Sequence, residues 1–116
     1  MTAMLDKALG VHPQLLNFRV ERSKVLASNL ANADTPGYQA KDLDFKTFVN
    51  RVQHSSANAA SYKIGYRIPF QASDDNNTVE MGSEQAQFSQ NAMDFQSSLT
   101  FLNMKINGLR SAIEGR

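Results

Sequence analysis

A chain of 116 residues with a formal charge of +1 holds about one domain of material and no charge bias toward a polyanion, which excludes a nucleic-acid surface or a polybasic membrane contact as its organising feature. The absence of cysteine removes disulfide frameworks, zinc-thiolate sites and cysteine nucleophiles together. With 41% hydrophobic residues and no tryptophan, the chain can fold but has few large core residues, so one domain of elongated shape is expected.

The first residues, Met1 to Lys7, have no basic stretch followed by an apolar one, and no run approaches the roughly 18 apolar residues of a spanning helix. Neither a cleaved leader nor direct membrane insertion is expected. Leu5 and Leu9 begin a helical pattern that Gly10 and Pro13 interrupt. Because proline suits the first helical position and not the interior, the pattern predicts a weak turn over residues 4 to 9 and a main helix from near Pro13 to about Ala33. Leu15, Leu16, Phe18, Val25, Leu26 and Leu30 recur at spacings near three and four, and arginine stems at Arg19 and Arg22 carry the stripe across a polar middle.

That helix has to stop near Thr35, since the ring of Pro36 pushes the preceding residue out of the helical region. Pro36 and Gly37 supply the fixed and the positive φ of a type II turn, and Tyr38 leaves it extended. Asn29, Asn32, Asp34, Thr35, Pro36, Gly37 and Tyr38 thus form a turn motif without catalytic chemistry. Two roles are open to its amides. Asn32 or Asp34 can satisfy carbonyls at the helix end, or Asn29 and Asn32 can lock the turn onto the C-terminal helix of the same or a neighbouring subunit.

From Gln39 the character changes to short polar and aromatic runs around Leu43, Phe45, Phe48 and Val49, followed by a small-residue linker over residues 55 to 61. Residues 62 to 70 alternate as a short strand does, with Pro69 confining it to an edge or ending it, and residues 74 to 77 read as a turn. A single hairpin of this size is marginal in water, so the insert is expected to be mobile unless a neighbour orders it.

From Ser83 the chain becomes a sustained heptad. Phe88, Phe95, Leu102 and Leu109 fall in one seam row and Ala92, Leu99, Ile106 and Ile113 in the other, with spacings alternating four and three. Ser83, with Glu84 behind it, is the predicted cap. The flanking positions, among them Ser89, Asn91, Gln96, Ser98 and Asn103, are almost uncharged, unlike those of an autonomous two-stranded zipper. Met93, Phe101 and Met104 lie off the seam and point to a second contact face. With Leu16, Leu26 and Leu30 on the N-terminal helix, these rows make the expected packing seam.

The predicted fold is mainly α: N- and C-terminal helices packing as an elongated coiled-coil-like hairpin, with a partly disordered middle insert able to hold a short β-hairpin. Residues 1 to 38, 39 to 80 and 81 to 116 are read as helix plus turn, insert, and heptad helix of one assembly domain. No catalytic or metal constellation stands out. His12 and His54 lack ligand spacing, and Asp42, Asp44, Asp74 and Asp75, without the alternating ligands of a calcium loop, are read as solvated loop charges. No cofactor, nucleic acid or small-molecule substrate is expected.

With the terminal helices, the Asn-Leu-Ala-Asn-Ala-Asp-Thr-Pro-Gly-Tyr turn and the insert in place, the chain resembles the bacterial flagellar basal-body rod proteins. The likeness runs from Leu5 to His12, through Leu26 to Tyr38 and Lys41 to Phe45, resumes at Asn77 to Met81, and closes with Leu99 to Ile113. The resemblance implies a structural subunit of the rod that crosses the periplasm, exported through the flagellar type III apparatus without a cleaved leader. It also implies neighbours: copies of itself, the rod proteins FlgC, FlgF and FlgG, the rod-base adaptor FliE and the type III export gate. From the residues alone, a soluble cytoplasmic helical-hairpin adaptor or chaperone binding one partner helix is the alternative.

Overall fold

The structure, a computed structural model, describes residues 9–10, 12–54, 64–67 and 75–115. The elements run α1 (His12–Ala31), β1 (Lys41–Leu43), α2 (Phe45–His54), β2 (Ile64–Tyr66) and α3 (Met81–Glu114). The long helices lie antiparallel: Asn29 near the end of α1 meets Glu84 in the first turn of α3, and Arg19 meets Asp94. The molecule measures 63 × 26 × 18 Å. This is the mainly α, elongated hairpin expected.

Helix α1 opens at His12 with Pro13 just inside, where the missing N–H costs no helical bond. Gly10, with φ 66°, stands just before it. Most of the weak turn expected over residues 4 to 9 lies outside the described residues, as do the linker at 55 to 61, Pro69 and Asp74. Helix α3 starts at Met81 with Glu80 as N-cap and no side-chain cap bond, so the predicted cap at Ser83 is three residues late. Glu84 is turned inward instead, for the reason given below. The helix ends in a left-handed Gly115 whose N–H returns to the Ser111 carbonyl.

The insert holds more order than its polar composition predicts. Asp44 caps a ten-residue helix, α2, accepting from the Thr47 N–H at 3.2 Å and the Thr47 hydroxyl at 2.7 Å. Phe45, Phe48, Val49 and Val52 then fall at i, i+3, i+4 and i+7 along one face. Phe48 stacks on Phe18 of α1 with centroids 4.7 Å apart, and with Leu43 these make the small core cluster, flanked by Leu15, Val25, Val49 and Val52. Asp44 is therefore a helix cap and not a free loop charge.

The two-stranded sheet also differs from the hairpin expected. β2 pairs antiparallel with β1, Lys41 opposite Tyr66 and Leu43 opposite Ile64, so α2 lies within the connection. The strand preference of residues 64 to 66 is local, but its partner is chosen by where α1 holds β1.

Candidate functional site

Asn29 is fully buried near the end of α1, and its carboxamide uses its full bonding capacity. Its Nδ2 donates to the Lys41 carbonyl at 2.7 Å and to Glu84 Oε2 at 3.0 Å. Its Oδ1 accepts from the Lys41 N–H at 3.0 Å and from the Tyr38 hydroxyl at 3.3 Å. By bonding both the N–H and the C=O of Lys41, the side chain acts as a surrogate strand on the edge of β1 that β2 does not use. One amide thus ties α1 to the turn, to β1 and to α3.

Around it four charged groups meet, each from a different part of the chain. Arg22 of α1 forks onto Asp42 of β1, Nε to Oδ1 at 2.9 Å and Nη2 to Oδ2 at 3.1 Å, and Nη2 also reaches Gln87 of α3 at 2.8 Å. Arg67, just after β2, donates to Asp42 Oδ2 at 2.6 Å and to Glu84 Oε1 at 2.5 Å. Glu84 has no exposed surface, and its two carboxyl oxygens are met within the fold by Arg67 and Asn29. Burial alone would push the Asp42 carboxyl up, but the hydrogen bond and charge of Arg22, the Leu43 N–H and the charge of Arg67 outweigh it and hold the group below the usual carboxylate range. Asp42 is accordingly part of a half-buried ion cluster and not the solvated charge its loop position implied.

The turn is closed by a second buried amide. Asn77 sends its Nδ2 to the carbonyls of Asn32, Ala33 and Thr35 at 2.9, 2.9 and 2.7 Å, capping the end of α1 from more than forty residues away. Its Oδ1 accepts from the Val79 N–H at 2.7 Å. Gly37 has φ 73° and the Tyr38 N–H donates back to the Thr35 carbonyl at 3.2 Å, the geometry of a type II turn. The Gly37 N–H donates in turn to the Asp75 carbonyl at 2.8 Å. Asn32 takes a local role, donating to the Ser28 carbonyl, while Asp34 and Pro36 are exposed.

The helix contact is rotated by one row from the heptad read in the sequence. The fully turned-in residues of α3 are Glu84, Asn91 and Ser98, a polar row at spacing seven. Asn91 donates to the Arg19 carbonyl at 2.8 Å and to the Ser23 hydroxyl at 2.7 Å, so the uncharged flank is itself the line facing α1. Phe95, Leu102 and Leu109 are half-buried beside this row, with Phe88 left 38% exposed. In the other seam row, Leu99 is half-buried, while Ala92 is exposed, Ile106 is 44% exposed and Ile113 81%. On α1, Leu26 is fully buried and Leu16 and Leu30 half-buried. Met93, Phe101 and Met104 are exposed.

Sequence reading missed Arg67 and Glu84 as members of the hub and Asn77 as a partner of the turn. Only their polar or charged type could have signalled them, since the partners of the first two lie 17 to 55 residues away.

Comparison with known proteins places these residues in a family. The profile described as "Flagella basal body rod protein" matches residues 20–39, the second half of α1 and the turn. The chain is 42% identical to the flagellar basal body rod protein FlgB of Cereibacter sphaeroides, over 99% of both chains. It is 37% identical to that of Aeromonas hydrophila, over 99% of this chain and 98% of the relative, and 37% identical to that of Escherichia coli K12, over 98% of both. At this identity over nearly the whole of both chains, the protein belongs to the FlgB family of flagellar basal body rod proteins.

Proposed function

We propose that the chain is a structural subunit of the proximal flagellar rod, in which the Asn29 hub sets one two-helix unit and the uncovered apolar rows of α3 pack against other subunits. The observation that carries this reading is the exposed row Ala92, Ile106 and Ile113, with Phe88 beside it, on a helix whose covered row is polar. Apolar side chains left uncovered along one row of a helix fit a contact face for a neighbour. Residues 1 to 38, 39 to 80 and 81 to 116 serve in this reading as helix plus turn, insert, and heptad helix of one assembly domain. Met93, Phe101 and Met104 offer a second face, as a subunit with neighbours on several sides requires.

The partners that fit are further copies of the chain, the rod proteins FlgC, FlgF and FlgG, the rod-base adaptor FliE and the type III export gate. In this reading the subunit works in the rod across the periplasm after export through the flagellar type III apparatus, with no catalytic step, nucleic acid, small-molecule substrate or membrane insertion. Deleting the gene and imaging isolated basal bodies by electron microscopy tests it. A missing rod above an intact membrane ring is expected, and an intact rod would refute it.

A further inference from the structure

We infer that Arg67 is a releasable clasp: it fastens β2 onto the helix pair, and its release frees β2 while the Asn29 hub stays closed. Among the described residues of this stretch, Ile64, Gly65 and Tyr66 are all exposed, at 54% and 63% for the two large side chains. Arg67, the residue after β2, is partly buried. β2 therefore brings no side chain into the core, and a three-residue antiparallel pairing is too short to hold itself in water. What fixes it is the Arg67 N–H on the Ala40 carbonyl at 2.8 Å and the guanidinium spanning Asp42 of β1 and Glu84 of α3.

The cluster is built so that this cation can leave. Its charged members are Arg22 from α1, Asp42 from β1, Arg67 after β2 and Glu84 from α3. When Arg67 withdraws, Asp42 keeps the two-point contact of Arg22, and Glu84 keeps the Asn29 amide. Neither carboxylate is stranded. The edge of β1 away from β2 is held by Asn29 through Lys41, so β1 does not depend on β2 for its place. Two separable layers result, a fixed hub and a strap fastened by one residue.

The test is amide hydrogen exchange by NMR on the full chain at neutral pH, comparing wild type with Arg67→Met and Arg67→Lys. With Arg67→Met, protection at residues 65 and 67 is expected to fall by about tenfold or more, while Lys41 and Thr78 amides and those of α1 change by less than about threefold. Arg67→Lys is expected to lie between, because one ammonium cannot fork across both carboxylates. Parallel loss at Lys41 and α1, including outright unfolding, would overturn the proposal by making Arg67 part of the cooperative core. Unchanged protection at residues 65 and 67 would overturn it as well.

Discussion

Replacing Asn29 by aspartate keeps the shape of the hub and reverses its chemistry. The two donors that now meet the Lys41 carbonyl and Glu84 Oε2 would become an oxygen facing two acceptors, in a position with no exposed surface. Two buried acceptors left unanswered cost about 1 to 3 kcal/mol each, so about 2 to 6 kcal/mol is expected at pH 7. Adding a carboxylate beside Glu84 also raises the pKa of one member of the pair in the folded state. The sign follows: a carboxyl raised by folding destabilises above its unfolded value, and the deficit shrinks as pH falls through the raised folded value and a proton supplies the missing donor. Urea denaturation followed by circular dichroism at pH 7 and at a mildly acid pH, with Asn29→Ala as reference, reads both effects. Asn29→Asp should recover stability on acidification and Asn29→Ala should not. A loss below about 1 kcal/mol at pH 7 for Asn29→Asp, or the same pH response in both variants, would refute the role given to this amide.

Three further outcomes follow from the same geometry. Gly37→Val meets open space at Cβ, so its cost is that of a β-branched residue held at φ 73°, about 1 to 2 kcal/mol or more, read as a lower melting temperature and impaired swimming; a variant that melts and swims normally would contradict the turn geometry. Leu102→Asp places a charge in the half-buried seam and should abolish incorporation into basal bodies while leaving most helical signal in the isolated chain; normal incorporation would contradict the seam. The lowered pKa of Asp42 contributes stability that is present above the ordinary carboxylate value of about 3.9 and lost as pH falls through the lower folded one. Wild type should therefore lose more stability than Asp42→Asn between neutral pH and the acid end of that window, and equal slopes would remove Asp42 from the acid response.

The helical pair and the turn were legible because their signals are local. Proline and glycine punctuation delimits α1, and the apolar repeat delimits α3 to within a few residues. Helix α2 is harder to see because Phe45, Phe48 and Val49 read as short isolated runs, although Asp44 and the i, i+3, i+4, i+7 spacing completed by Val52 spell a capped amphipathic helix. The rotation of the seam had a different origin. Hydrophobicity marks the rows that need covering, and an intramolecular partner normally takes the most apolar one; here the polar row Glu84, Asn91 and Ser98 faces α1 because specific hydrogen bonds hold the Glu84 carboxylate and the Asn91 Nδ2. Such pairings depend on residues far apart in sequence, and composition cannot reveal them. The ion cluster was illegible for the same reason, since Arg67 and Asp42 become neighbours only once β2 has found β1.

As a rod subunit without native cysteine, the chain permits a clean measurement of where its neighbours lie. A single cysteine at Ile106, exposed in one subunit, should be shielded from maleimide labelling in isolated basal bodies while the unassembled chain labels freely, because the account seats that row against another subunit. A cysteine at Ile106 that stays freely labelled in assembled rods would contradict the claim that the uncovered row of α3 is the assembly face.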